Sequence, residues 1–109
     1  KTLSRVGTIY CELGETELAL KYYKQELLIA KKVIDPYWIA MAYLDLGDLH
    51  YFMEEFIKAA KYFFISKKVI RKSISTDSKE KIERRLLKLQ DYIPQNQFNQ
   101  IKEQIMSKQ

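Results

Sequence analysis

The sequence predicts an all-α fold made of antiparallel helix pairs, and two observations lead to this prediction. Only 3 Gly and 2 Pro occur in 109 residues, which favours long regular elements over many short strands and turns. Apolar residues also recur at spacings of three or four, which places them along one face of a helix. At this length, with 47% hydrophobic residues, the chain is expected to form one modest core.

An internal repeat of 40 residues organises the part of the chain from residue 1 to residue 72. When the sequence is shifted by this distance, small residues coincide with small residues and aromatic residues with aromatic residues. The matched pairs are Gly7 with Gly47, Ala19 with Ala59, Tyr23 with Phe63, Val6 with Leu46, Ile9 with Leu49 and Ile29 with Val69. A shift of 33 sets Ala19 against Phe52, so we prefer the longer period. Two similar helix pairs are therefore expected within residues 1–72.

The first pair is expected to turn at Gly14, where the first helix ends. Thr16 is a plausible N-cap for the second helix, which should run to about Val33. The residues expected to face the core are Leu3, Val6, Tyr10 and Leu13 on the first helix, and Ala19, Tyr23 and Leu27 on the second. We expect the aromatic residue of the second helix to fill the space between successive pairs.

The second pair is expected to begin at Asp35, which caps a helix with Pro36 at its first position. This third helix should end near Phe52, and the fourth should run from about residue 54 to residue 72. The residues expected to face inward are Ile39, Tyr43, Leu46, Leu49, His50, Ala59, Phe63, Ser66 and Ile70. Trp38 is expected to hold two helices together rather than to contact a ligand.

Residues 73–109 are expected to form a degenerate third pair or a capping element. Asp77 followed by Glu80 resembles a capping box, so a fifth helix should run from about residue 78 to residue 92. Its apolar residues are Ile82, Leu86, Leu89 and Ile93. Pro94 should start a sixth helix, on which Phe98, Ile101 and Ile105 form a narrow apolar stripe. A weaker pattern is expected in a terminal unit, because its outer face must meet water.

The repeated positions resemble the tetratricopeptide pattern. In that pattern the first helix carries a large residue, an apolar residue before Gly or Ala, and a Tyr, whereas the second carries Ala, an aromatic residue and Ala. The first copy matches at Leu3, Val6, Gly7, Tyr10, Ala19 and Tyr23 and departs at Glu26. The second copy matches at Tyr43, Leu46, Gly47, Ala59, Phe63 and Ser66 and departs at His50. The long period is similar to that of the Pins/LGN polarity scaffolds, kinesin light chain and bacterial Rap-type regulators.

The resemblance implies a right-handed solenoid of about six helices, in which the first helix of each pair lines a concave groove. It also implies that a protein or peptide partner binds there. The expected groove residues are Arg5, Thr8, Glu12, Asp45, Asp48, Tyr51 and Phe52, accompanied by Ser4, Cys11, Met41 and Leu44. The positions of a carboxylate clamp hold Ser4, Thr8, Leu44 and Asp48 instead of Lys and Asn, so we expect no such clamp. A surface of mixed charge suits a peptide with an apolar anchor.

The net charge of +5 is concentrated towards the C-terminal end. The main basic patch comprises Lys67, Lys68, Arg71, Lys72, Arg84 and Arg85. Three interpretations stay open: a solvated face, a docking site for an acidic protein segment, or a contact with nucleic acid or anionic lipid. No aromatic residue lies between residues 67 and 88 to stack on bases, so nucleic acid is the least favoured partner.

The sequence predicts neither an enzyme nor a cofactor or metal site. Cys11 is the only cysteine and His50 the only histidine, whereas a zinc site needs three or four ligands. His50 occupies a packing position of the repeat. A lone cysteine suits a reducing compartment, so we expect a cytoplasmic location. No apolar run reaches the roughly 18 residues of a spanning helix, so no membrane partner is expected.

The most direct functional hypothesis is a non-catalytic protein-interaction module. Two alternatives stay open: a regulatory domain that closes around a small peptide signal, and a basic helical repeat that associates with nucleic acid. Self-association through apolar ends of the array is also plausible.

Overall fold

The computed structural model describes residues 2–73 and 75–107, and this part of the chain contains six α-helices and no strand. The helices are α1 (Thr2–Glu12), α2 (Thr16–Val33), α3 (Pro36–Phe52), α4 (Phe56–Ile70), α5 (Thr76–Leu89) and α6 (Gln95–Met106). The all-α prediction is therefore confirmed. Helix α1 packs against α2, α2 against α3 and α3 against α4, while α5 and α6 both pack against α4. No helix in the described residues is long and apolar enough to cross a membrane.

The start of α3 agrees with the prediction, whereas two other predicted caps were wrong. Asp35 Oδ1 accepts hydrogen bonds from the backbone N–H groups of Tyr37 at 3.1 Å and Trp38 at 3.4 Å. Thr16 is already helical, and Glu15 precedes α2 without a side-chain cap. Ser75, not Asp77, caps α5 by accepting from Ser78 N at 3.4 Å. Asp77 lies within the first turn, where a carboxylate still favours the helix N-terminus.

The first two pairs turn through the same backbone conformation, 40 residues apart. Gly14 has a φ of 82° and Glu54 a φ of 61°, both in the left-handed region. In each turn the next N–H reaches back to a carbonyl at 2.8 Å: Glu15 to Tyr10, and Glu55 to His50. At the third equivalent position Pro94 has a φ of −55°, and α6 leaves to pack on α4. The 40-residue period is thus visible in the backbone of the first two units.

The core consists of two clusters. The smaller cluster joins the first pair to the second through Ala19, Tyr23, Leu46 and Leu49. The larger cluster unites α3 to α6 through Ala40, Leu44, Ala59, Ala60, Phe63, Phe64, Ile70, Ile82, Leu86, Leu89, Ile93, Phe98 and Ile101. The predicted core residues of α4 and α5 are all buried.

Some residues do not lie where the sequence placed them. Leu44 and Met41 were expected in the groove, but Leu44 is buried in the larger cluster and Met41 packs against it. Helix α3 is covered on more than one side, so a single inward stripe does not describe it. Leu13 was expected to face the core and is exposed.

The two repeated glycines allow the helices of each pair to approach closely. A Cβ atom added to Gly7 would lie 2.6 Å from Tyr23 Cε1, and one added to Gly47 would lie 2.5 Å from Phe63 Cδ1. Each aromatic ring therefore fills space within its own pair, and Tyr23 also reaches the second pair, where it meets Leu46 and Leu49.

Candidate partner-binding groove

A cleft of about 1320 Å³ lies between α3 and α5 and extends to Cys11 of α1. Helix α3 lines it with Asp48, Tyr51 and Phe52. Helix α5 and the residues after it supply Arg84, Arg85, Leu87, Lys88, Asp91 and Tyr92. The cleft is therefore lined mainly by α3 and α5, and Phe56 and Phe63 of α4 complete its lining.

The structure brings together only part of the predicted groove. Asp48, Tyr51 and Phe52 line the cleft, whereas Arg5, Thr8, Glu12 and Asp45 do not. The Thr8 hydroxyl lies 2.8 Å from the Tyr23 hydroxyl and donates to the Ser4 carbonyl. Asp45 accepts a hydrogen bond from Ser4 at 2.8 Å. The side chains of Thr8 and Asp45 thus engage residues of the first pair.

A bidentate ion pair connects the two walls of the cleft. Arg85 Nε donates to Asp48 Oδ1 at 2.7 Å, and Arg85 Nη2 donates to Asp48 Oδ2 at 3.0 Å. Paired N–H···O contacts of this kind fix the geometry of both groups. Both side chains are partly exposed, so the ion pair is expected to add little to the stability of the fold. Its main effect is to hold α5 at a fixed distance from α3.

Aromatic rings form one end of the cleft. Phe56 and Tyr92 are stacked with ring centroids 4.3 Å apart, and Tyr51 meets both rings edge-on at 5.5 and 5.9 Å. Lys88 Nζ lies 5.8 Å from the centroid of the Tyr51 ring. These contacts keep the aromatic rings in place without burying all of them, since Tyr92 is 53% exposed.

Ion pairs engage part of the basic patch. Lys67 Nζ lies 2.6 Å from Glu83 Oε2 and connects α4 to α5. Arg84 and Arg85 border the cleft, and Arg85 is bound to Asp48. Lys68 is half-buried, whereas Arg71 and Lys72 are exposed where α4 ends. Arg84 Nη2 lies 3.8 Å from Glu80 Oε1. A contact of the patch with a partner would therefore use the end of α4.

Cys11 and His50 both have environments that suit packing. Burial raises the pKa of the Cys11 thiol, which keeps it protonated and unreactive at neutral pH. His50 is buried, its ring stacks on Tyr62 at 5.2 Å, and its Nδ1 lies 2.7 Å from Glu55 Oε1. This hydrogen bond is the main cause that lowers the pKa of Glu55. Within residues 2–73 and 75–107, no three His, Cys, Asp or Glu side chains are grouped so as to hold a metal ion.

Leu87, Lys88 and Tyr92 are among the cleft residues that the sequence analysis missed. The signal that identifies them is the same 40-residue shift applied once more. At this spacing Lys88 is equivalent to Asp48 and Thr8, and Tyr92 is equivalent to Phe52. The glycine of the first two units becomes Leu87 in the third, which hid the correspondence.

Comparison with known families agrees with the repeat and with the fold. The chain matches the family described as Tetratricopeptide repeat over residues 1–63, which is more than half of its 109 residues. A comparison with curated proteins and one with solved structures gave no match. Repeats of this family generally serve as protein–protein interaction modules. The match and the helical pairs together show that this chain belongs to the tetratricopeptide repeat family.

Proposed function

We propose that this chain is a non-catalytic module that binds a peptide segment of a partner protein in the cleft between α3 and α5. The observation that carries the proposal is the meeting of exposed apolar side chains at one concave site. Phe52 is 55% exposed and Leu87 is 67% exposed, and both line the cleft. Large apolar groups in a concavity bordered by charge are typical of peptide anchoring sites.

The charges around the cleft favour a peptide of mixed polarity. Asp48 and Arg85 satisfy each other, and Arg84 lies 3.8 Å from Glu80 on the same helix. The remaining charges of the cleft are Lys88 on α5 and Glu54 and Asp91 near the aromatic end. A suitable segment, extended or helical, would place one apolar anchor against Phe52 and Leu87 and carry both acidic and basic residues beside it.

Peptides selected on the wild-type chain from a random display library provide the test. Leu87→Glu should weaken their binding by about tenfold or more, because it places a charge on the apolar anchor site. Leu28→Glu is the matched control, since Leu28 is similarly exposed but lies on α2, outside the cleft. Equal affinities of both variants for the selected peptides would contradict the proposal.

A second copy of the chain is proposed as a further partner, on the outer face of α1. Ile9 and Leu13 are exposed there, although Leu49, the counterpart of Ile9 in the second unit, is buried against α2. A helix resembling α2 in another copy would cover the equivalent face of α1.

Light scattering across a concentration series tests this self-association. The mass of the wild-type chain should rise with concentration, whereas a variant with both Ile9→Glu and Leu13→Glu should stay monomeric. The Leu87→Glu variant serves as control and should associate like the wild type. A wild-type chain that stays monomeric throughout would refute this second proposal.

Three broader assignments complete the proposal. The 40-residue spacing supports the long-repeat type, since the usual unit has about 34 residues. The half-buried free thiol of Cys11 supports a cytoplasmic location. The ion pairing of Lys67 and Arg85 weighs against a nucleic-acid partner, because phosphate binding needs free cations.

A further inference from the structure

A buried glutamate lies at the junction of the first and second helix pairs. Glu26 is 2% exposed and stands where the second unit has Ser66, 40 residues on. Ser66 fits its site by donating to the Ala40 carbonyl at 2.7 Å. Glu26 Oε2 accepts from Trp38 Nε1 at 3.2 Å, but buried Oε1 has no donor among the described residues. A buried carboxylate oxygen without a donor is costly and calls for an explanation.

A protonated carboxyl group on the neighbouring Asp45 of α3 would offer Glu26 a donor. The charge of Glu26 and a side-chain hydrogen bond with it are among the causes that raise the pKa of Asp45, and Asp45 Oδ2 accepts from Ser4 Oγ at 2.8 Å. Two ionised carboxylates would repel each other here. A single proton between them would instead give Glu26 Oε1 a donor.

The surroundings supply no cation that could replace this proton. In residues 2–73 and 75–107, no Lys or Arg nitrogen lies within 4.0 Å of either carboxylate. Asp48 on α3 adds a further negative charge, and its partner Arg85 on α5 is already engaged with it. Tyr23 on α2 is neutral, because burial raises its pKa to about 12, and Cys11 on α1 is kept protonated as well.

We propose that Glu26 and Asp45 share one proton, and that this proton joins α2 to α3, so that alkaline solution loosens the first helix pair from the second. Ser4 of α1 donates to Asp45 of α3, and Trp38 of α3 donates to Glu26 of α2, so the two carboxyl groups lie where these three helices meet. Loss of the proton leaves two facing carboxylates with no counterion, and the junction between the pairs opens.

The direction of the pH dependence follows from the raised pKa of Asp45. Burial is the main cause of the increase. The hydrogen bond from Ser4 lowers the pKa of Asp45 and Glu26 raises it, and the net result is a pKa of about 7 in place of an unperturbed 3.8. Below both values the group is protonated in the folded and unfolded chain alike. Between the unfolded and the folded pKa only the folded chain holds the proton. Each unit of pH increase in this range therefore raises the equilibrium constant of unfolding by up to about tenfold. Its stabilising contribution is lost as the pH rises through about 7.

Trp38 provides a direct readout, because it is the only tryptophan and donates to Glu26. Its fluorescence, titrated from about pH 5 to about pH 9, should show a midpoint near 7 in the wild type. Glu26→Gln should abolish the midpoint, since the amide can accept from Trp38 and donate to Asp45 at every pH. Asp45→Asn should do the same from the other side.

His50→Phe is the matched control, because an imidazole can titrate in the same range and His50 is the only histidine. This variant should keep the wild-type midpoint. A wild-type chain without a midpoint, or a midpoint that persists in both Glu26→Gln and Asp45→Asn, would overturn the proposal. The titration contains no peptide, so its outcome is independent of the proposed binding function.

Discussion

Replacing Phe63 by alanine is expected to lower the free energy of unfolding by about 3–5 kcal/mol, measured by urea denaturation. The side chain is 1% exposed and belongs to the larger core cluster. Its ring also lies against the Gly47 backbone, where a Cβ atom would be 2.5 Å from Cδ1. Removing the ring therefore leaves a cavity at the place where α3 and α4 are held closest.

Phe52→Ala is the control for this experiment, because Phe52 is mostly exposed and its loss should change stability by about 0.5 kcal/mol or less. A double-mutant cycle with Gly47→Ala tests the close approach itself. In the wild type the added methyl group meets the ring of Phe63 and should destabilise the chain. In the Phe63→Ala background it should be neutral or stabilising, since alanine favours a helix by about 1 kcal/mol over glycine. Equal effects in both backgrounds would show that the ring does not require glycine at position 47.

Replacing Phe98 by alanine is expected to destabilise the whole chain by about 3–5 kcal/mol, and not α6 alone. Phe98 is buried, and its ring centroid lies 5.2 Å from that of Phe64 on α4. The cluster that contains it also includes Ala40 and Leu44 of α3. We therefore expect residues 73–109, proposed as a degenerate or capping unit, to unfold together with the first two pairs.

Calorimetry and circular dichroism check this cooperativity. The Phe98→Ala variant should unfold in one transition at a lower midpoint than the wild type. Leu87→Ala is the control, because Leu87 is exposed and outside the core. A separate early transition confined to α6, with the remaining transition unchanged, would argue that the C-terminal unit is not part of the common core.

The regular parts of this fold could be predicted because local signals and packing agree there. Asp35 and Pro36 predicted the start of α3, and the spacing of Ala59, Phe63 and Ile70 predicted the buried face of α4. Caps were less predictable where several polar residues compete. Ser75 and Asp77 are both good caps, and only the backbone geometry decides that Ser75 is used.

The site was harder to predict because it depends on how helices from different units meet. Leu44 looked like a groove residue because the groove face was inferred from one helix, whereas α5 and α6 complete a core around it. The contact of Asp48 with Arg85 joins residues 37 positions apart and has no local signal. Glu26 was visible as a departure from the family pattern, but its influence on Asp45 appears only when α2 and α3 are packed together.

The backbone at Pro94 explains why the repetition stops after two regular pairs. The turns at Gly14 and Glu54 need a positive φ, which proline cannot adopt because its ring holds φ near −65°. A third hairpin of the same shape is therefore sterically forbidden at this corner, whatever residues follow it. Lengthening the array by design would first require that Pro94 be replaced by a residue that tolerates a positive φ, of which glycine and asparagine are the most favourable.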